Sequence, residues 1–190
     1  MIMTNQIEEL KKEIQKQFLN GEFFPVNKLG NGAIIDNLPG LYCIKLQDGV
    51  SLPKPFNHIR EDRIIYIGIS DSSLRDRLWR QDLNHKSPAT FFRSMGAILG
   101  FRPPKGSLYG KKTNNYKFSP EDTRKIINWM HNNLLIKWIP LEDWDLRAFE
   151  KSLIEVFRPL VNIQNNPDKS FDLEKLREEC RNIAKSIKSF

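Results

Sequence analysis

Apolar residues first fall at helical spacing at Ile7, Leu10, Ile14 and Phe18, which predicts an N-terminal docking helix with Asn5 as its cap and Gly21 as its stop. After a loop containing Pro25 and Gly30 the pattern shortens. Leu41 to Leu46 is a compact apolar run led by Pro39-Gly40, and Ile64 to Ile69 is another, both of strand length. Between them, Gln47 to Arg63 carries Gly49, Pro53 and Pro55 with no period and reads as a long excursion joining two strands. Helical spacing returns from about Leu74 to Leu83, capped by Ser72 or Ser73, and again around Phe91 to Leu99, where Pro103-Pro104 ends it. Ser119-Pro120-Glu121-Asp122 places a capping hydroxyl, a first-turn proline and acids at the positive end of a helix from Pro120 to about Asn133. Leu134 to Leu141 is a third strand. Asp145 to Phe157 is a helix that stops before Pro159, and a last helix carries Leu173, Leu176, Cys180, Ile183 and Ile187 on one stripe.

Three strands among helices in a chain of 190 residues predict one α/β (α+β) core with elaborations. Composition, 39% hydrophobic and 28% charged, is that of a soluble globular protein able to bury that core. The net charge of +7 adds a polyanionic partner, either nucleic acid or an anionic membrane surface, without choosing between them. No apolar run is long enough to cross a bilayer, and Met1 to Lys11 lacks the basic-then-apolar order of a secretion signal, so a cytoplasmic location is expected. Cys43 sits in an apolar strand and Cys180 on an apolar helical stripe. Both read as buried reduced thiols rather than a disulfide framework or a zinc site.

The candidate chemistry begins at Glu150, which falls in line with Leu153, Ile154 and Phe157 at i+3, i+4 and i+7, while Lys151, Glu155 and Arg158 supply the solvent face. A carboxylate on the apolar face must be paired, protonated or bound to a metal. An internal ion pair with an arginine is the plain alternative. Tyr42 alternates with Ile44 and Leu46, and Tyr66 with Ile64 and Gly68, so antiparallel pairing would stand both phenols on one face. Gly68 would leave that face bare for a ligand to approach the backbone, unless it only relieves twist between two core tyrosines.

Gly40-Leu41-Tyr42 and Tyr66-Ile67-Gly68 resemble the paired strand motifs that name the GIY-YIG nucleases, with leucine for isoleucine in the first. Leu74-Arg75-Asp76-Arg77-Leu78 is similar to the family's arginine-bearing helix, Arg77 taking the arginine's place at an offset one residue longer. Phe149-Glu150-Lys151-Ser152-Leu153-Ile154, followed by Pro159-Leu160 and Val161-Asn162, resembles the glutamate-to-asparagine interval of the nucleotide-excision-repair incision subunit and of restriction enzymes of this class. The resemblance runs from about Pro39 to Asn165. It implies a small three-stranded antiparallel sheet flanked by helices, with an N-terminal helix and lead-in (1–36), a core (37–166) holding a basic insertion around 86–118, and a C-terminal helix (167–190) packed on the same domain.

It also implies an endonuclease whose site is Tyr42, Tyr66, Arg77, Glu150 and Asn162. Tyr42 would be the general base or would position the attacking water, with Tyr66 beside it. Glu150 would be the single protein ligand of Mg²⁺ or Mn²⁺, Arg77 would brace the scissile phosphate, and Asn162 would orient backbone or water near the metal. Gln81 stands one turn after Arg77, where some members have histidine or tyrosine; His85, a further turn on, is either a substitute for it or, as the first reading, a surface residue. Lys45 points to the sheet's other face.

Leu83 to Pro120 contains no acid and interleaves cations with aromatic rings, which makes Arg93, Arg102, Lys105, Lys111 and Lys112 candidate phosphate contacts. Gly106 to Asn115 reads as a flexible loop that orders on binding. Duplex DNA is the expected partner, cut as a homodimer or by a monomer in a restriction or defence setting. RNA, branched DNA and an inactive nucleic-acid-binding module are the competing readings.

Overall fold

The computed structural model describes residues 2–187, with side chains from residue 6 onward, so Asn5's side chain and residues 188–190 lie outside the described residues. In chain order the elements are α1 (Ile2–Asn20), β1 (Phe24–Pro25), β2 (Gly40–Leu46), β3 (Ile64–Ser70), a π-helix (Arg75–Leu83), α2 (Thr90–Ile98), α3 (Pro120–Asn133), β4 (Leu134–Pro140), α4 (Leu146–Phe157) and α5 (Phe171–Lys185). The sheet is antiparallel in the order β1-β4-β2-β3. Three strands are those expected. The fourth, β1, is two residues long and includes Pro25, so no alternation could announce it, and its place at the sheet edge suits a residue with no N–H to give.

The long excursion does not keep β2 and β3 apart. At its base the Leu46 amide donates to the Arg63 carbonyl at 3.0 Å. The Arg63 guanidinium donates to the carbonyls of Leu46, Gln47 and Val50, while Leu52 and Phe56 anchor the excursion in the core. Tyr42 therefore stands opposite Gly68 on one side and Trp138 on the other. A bulge interrupts the ladder: Ile44 faces Tyr66 and Lys45 faces Ile64, leaving Ile65 extra. It carries Ile64 to the face opposite Tyr66, so the expected Ile64, Tyr66, Gly68 alternation fails at its first member.

Each face of the sheet has its own core. Tyr42, Ile44 and Leu46 pack with residues of the π-helix, α2, α3 and α5, whereas Leu41 and Cys43 pack with Ile14 and Phe18 of α1 and with Phe149, Leu153, Ile154 and Phe157 of α4. Both cysteines are buried free thiols, one in each core. Lys45 lies over the Phe23 ring, on the face away from Tyr42. α5 ends at Lys185, so Ile187 lies beyond the helix and is exposed; Leu173, Cys180 and Ala184 carry the buried stripe. The loop after α2 is also tied down. The amides of Gly106 and Leu108 donate to the carbonyls of Ile183 and Ala184 in the last turn of α5, so the segment expected to be flexible is docked at its start and buries Leu108.

Among the described residues, no helix is long and apolar enough to cross a membrane.

Candidate active site

The helix after β3 is a π-helix, and its pitch makes the site. At 3.6 residues per turn, residues five apart point roughly 140° away from each other; an i→i+5 helix returns them to one side. Arg77 and Asp82 are such a pair, and the Arg77 Nη1 donates to Asp82 Oδ1 at 2.7 Å. The other carboxylate oxygen accepts the Tyr42 hydroxyl at 2.5 Å. Asp82 and Tyr42 are both 0% exposed. Burial pushes the Asp82 carboxyl up, while the Arg77 charge and the two hydrogen bonds pull it back. Ser73 rather than Ser72 caps the start, its hydroxyl accepting the Asp76 amide.

Gly68 does leave a gap in the sheet, but the gap belongs to Tyr42. A Cβ at Gly68 would lie 2.4 Å from the Tyr42 ring and hydroxyl, so the bare face admits a neighbouring phenol and not a ligand. Tyr42 is packed behind Tyr66, their ring centroids 6.1 Å apart, and Tyr66 leans on Phe91 at 4.8 Å. Burial raises both phenols well above the ordinary tyrosine range, and the Asp82 charge adds to it. Arg77 lowers both, and a hydrogen bond with Tyr42 also lowers Tyr66. At neutral pH both therefore stay protonated.

Asn162 closes the open edge of β3. Its Oδ1 accepts the Ile67 amide at 2.9 Å and its Nδ2 donates to the Ile67 carbonyl at 2.8 Å, while the Val161 amide donates to the Ile65 carbonyl. The turn after α4 thus satisfies edge groups that would otherwise be exposed. It also fixes Asn162 beside the first turns of α4, where Glu150 is half-buried. Glu150 makes no hydrogen bond or ion pair among the described residues. Burial raises its pKa, against the lowering charges of Arg147 and Arg77.

These elements border one open cleft of about 540 Å³, with Tyr66, Arg77, Glu150 and Asn162 on its walls. Tyr42 joins it only from behind, through Tyr66 and Asp82. None of the five basic residues expected to touch substrate lines it. Arg102 is paired with Glu179 at 2.9 Å and donates to the carbonyls of Ala97, in the last turn of α2, and Phe101. Arg93 is half-buried with its guanidinium over the Tyr116 ring, Lys111 donates to the Ser107 carbonyl, and Lys105 and Lys112 are exposed. His85 is not a surface residue: it stacks on Phe92 at 4.1 Å, and burial lowers its pKa to about 4. Gln81 donates to the Pro88 carbonyl.

Three residues escaped the sequence reading. Arg147 and Arg177 line the cleft, and neither sits in a position that pattern could mark. Asp82 did carry a signal, since it follows Leu74 and Leu78 at i+8 and i+4, a carboxylate on an apolar stripe like Glu150.

One cleft is thus bordered by the tyrosine of a paired strand, an arginine of the following helix and a glutamate of α4. The chain belongs to the GIY-YIG catalytic domain family, whose model matches residues 40–182, and is a nuclease of that superfamily. No match was found among curated proteins or among solved structures. Nucleases of this superfamily are generally metal-dependent, and among the described residues there is no group of three or more His, Cys, Asp and Glu that could hold an ion.

Proposed function

We propose that the chain is a metal-dependent endonuclease acting on duplex DNA, and that Glu150 is the single protein ligand of Mg²⁺ or Mn²⁺. The observation carrying this reading is a half-buried carboxylate with no partner on a cleft it shares with Arg77, Tyr66 and Asn162. A lone carboxylate fits such an ion, which takes oxygen ligands, keeps most of its waters and holds a phosphate oxygen. Bound there, it would polarise the phosphate and ease deprotonation of water.

The chain's own groups supply the remainder. Arg77, with one nitrogen committed to Asp82, presents its other donors to the scissile phosphate as a planar fork. Tyr66 orients the attacking water. Its ring packs against that of Tyr42, 6.1 Å between centroids, and the Tyr42 hydroxyl donates to the buried Asp82 carboxylate, so the three lead in order from the cleft to that carboxylate. Along that line the water's proton passes to Tyr66 as Tyr66 releases its own to Tyr42 and Tyr42 its own to Asp82, while the water oxygen attacks phosphorus and the ester oxygen leaves. The raised pKa of Asp82 suits a proton acceptor, and the raised pKa values of both phenols favour a relay over a standing tyrosinate. Asn162 is a positioning residue that fixes the Ile67 backbone between the two tyrosine-bearing registers.

Incubation with plasmid, linear duplex, single-stranded DNA and RNA in Mg²⁺, Mn²⁺ or EDTA tests this. Cleavage of duplex that EDTA abolishes is expected; cleavage confined to RNA or to branched DNA would move the substrate, and binding without cleavage would leave a binding module.

A further inference from the structure

Three arginines line the cleft, and two have partners. Arg77 is held by Asp82 at 2.7 Å and Arg147 by Asp71 at 2.9 Å. Arg177 of α5 is half-buried on the same cleft and forms no hydrogen bond or ion pair among the described residues. Glu174, the acid of its own helix whose charge reaches it, is taken by Lys169 at 3.2 Å. Glu150 feels Arg147 and Arg77 but not Arg177, so it is not the missing counter-charge.

A second cation makes the imbalance larger. Arg93 of α2 is half-buried against Tyr116, with Nη1 buried and unpartnered and Nη2 donating to the Thr90 hydroxyl, and Thr90 itself lines the cleft. Burial lowers the pKa of both arginines, and Arg177 lowers that of Arg93 further by repulsion. A guanidinium cannot shed its proton to escape such a site, so the stable partner is an anion from outside. The planar fork fits a phosphate oxygen pair.

We propose that Arg177, backed by Arg93 and Thr90, is a second phosphate-binding subsite of this cleft, taking a phosphodiester group of the substrate strand next to the one that is cleaved. This rests on the nuclease reading above and adds α5, outside the strand and glutamate motifs, to the substrate-holding surface. The basic segment of residues 86–118 then contributes through Arg93 from behind the cleft wall.

The test measures binding of a fluorescent DNA duplex to the full chain in EDTA over a salt series, for wild type, Arg177→Ala and Arg177→Lys, beside cleavage kinetics in Mg²⁺ and melting temperature. Arg177→Ala should weaken binding by about ten-fold and flatten the slope of log affinity against log salt by about one. KM should rise while kcat changes by less than about two-fold. Arg177→Lys should keep the slope and part of the affinity, and Arg177→Ala should not melt below wild type, because it removes an unpartnered half-buried charge. Unchanged affinity and slope in Arg177→Ala, or a loss shared equally by Arg177→Lys together with a lower melting temperature, would overturn the subsite. So would a wild type that binds no nucleic acid. Wild type that cleaves while Arg177→Ala binds normally overturns the subsite alone; Arg177-dependent binding without any cleavage keeps the subsite and overturns the nuclease reading.

Discussion

Tyr42 and Asp82 meet at 2.5 Å in a space closed to solvent, one from the central strand and one from the π-helix. The contact exists because two local irregularities coincide. Gly68 gives the phenol room beside β3, and the i→i+5 pitch brings Asp82 to the side of the helix that carries Arg77. A tyrosine, an aspartate and an arginine are thereby locked into one unit behind the cleft.

Removing the carboxylate should break that unit. Asp82→Ala leaves a buried Tyr42 hydroxyl and the Arg77 guanidinium without their acceptor, and the expected loss of stability is about 3–5 kcal/mol by urea unfolding. Asp82→Asn keeps the shape and should lose less stability, yet still lose at least about ten-fold in kcat because the amide cannot take the relayed proton. Wild-type kcat in Asp82→Asn would exclude the relay.

Gly68→Ala tests the packing beside it. The added methyl would sit 2.4 Å from the Tyr42 ring and hydroxyl, and that hydroxyl is held by Asp82, so Tyr42 must move. A loss of about 1–3 kcal/mol is expected from overpacking, together with reduced cleavage. If Gly68→Ala unfolds at the same denaturant concentration as wild type, Tyr42 is not seated as described.

The pH response of Glu150 has two parts. Metal binding needs the ionised form, and burial raises this pKa, so activity should fall on acidification at a pH above the ordinary carboxylate range. For stability the sign is opposite. A folded-state pKa above the unfolded one favours the protonated form, so the contribution is full below the unfolded pKa and is lost as pH rises through the folded pKa. In EDTA, Glu150→Gln should therefore melt above wild type at neutral pH and match it below about pH 4. A variant that melts lower at neutral pH would show that the carboxylate has a stabilising partner.

Much of this arrangement was legible in the residues, and unevenly so. Strands and helices with a clear period, such as Pro120 to Asn133 with its Ser119 cap, came out to the residue. Glu150's inward phase agrees with its half-buried place on the cleft, since four-residue spacing and the burial of Leu153, Ile154 and Phe157 report the same helix face. What failed were features set by tertiary geometry. A π-helix has no sequence period of its own that short windows reveal, so nothing in the spacing tied Asp82 to Arg77 five places before it. The bulge at Ile65 and the two-residue β1 depend on which strand lies alongside. The cations of residues 86–118 were counted by charge, whereas Arg102 had already been claimed by Glu179 and the unclaimed Arg177 stood on another helix.

The central claim is that Glu150, facing Arg77 and Tyr66 across one cleft, makes this chain a metal-dependent nuclease. It is tested most directly by single-turnover cleavage of a DNA duplex in Mg²⁺ by wild type and Glu150→Gln, with duplex binding measured for both in EDTA. Loss of at least about 100-fold in cleavage rate with binding unchanged or tighter is the expected result. Cleavage by Glu150→Gln at the wild-type rate would contradict it.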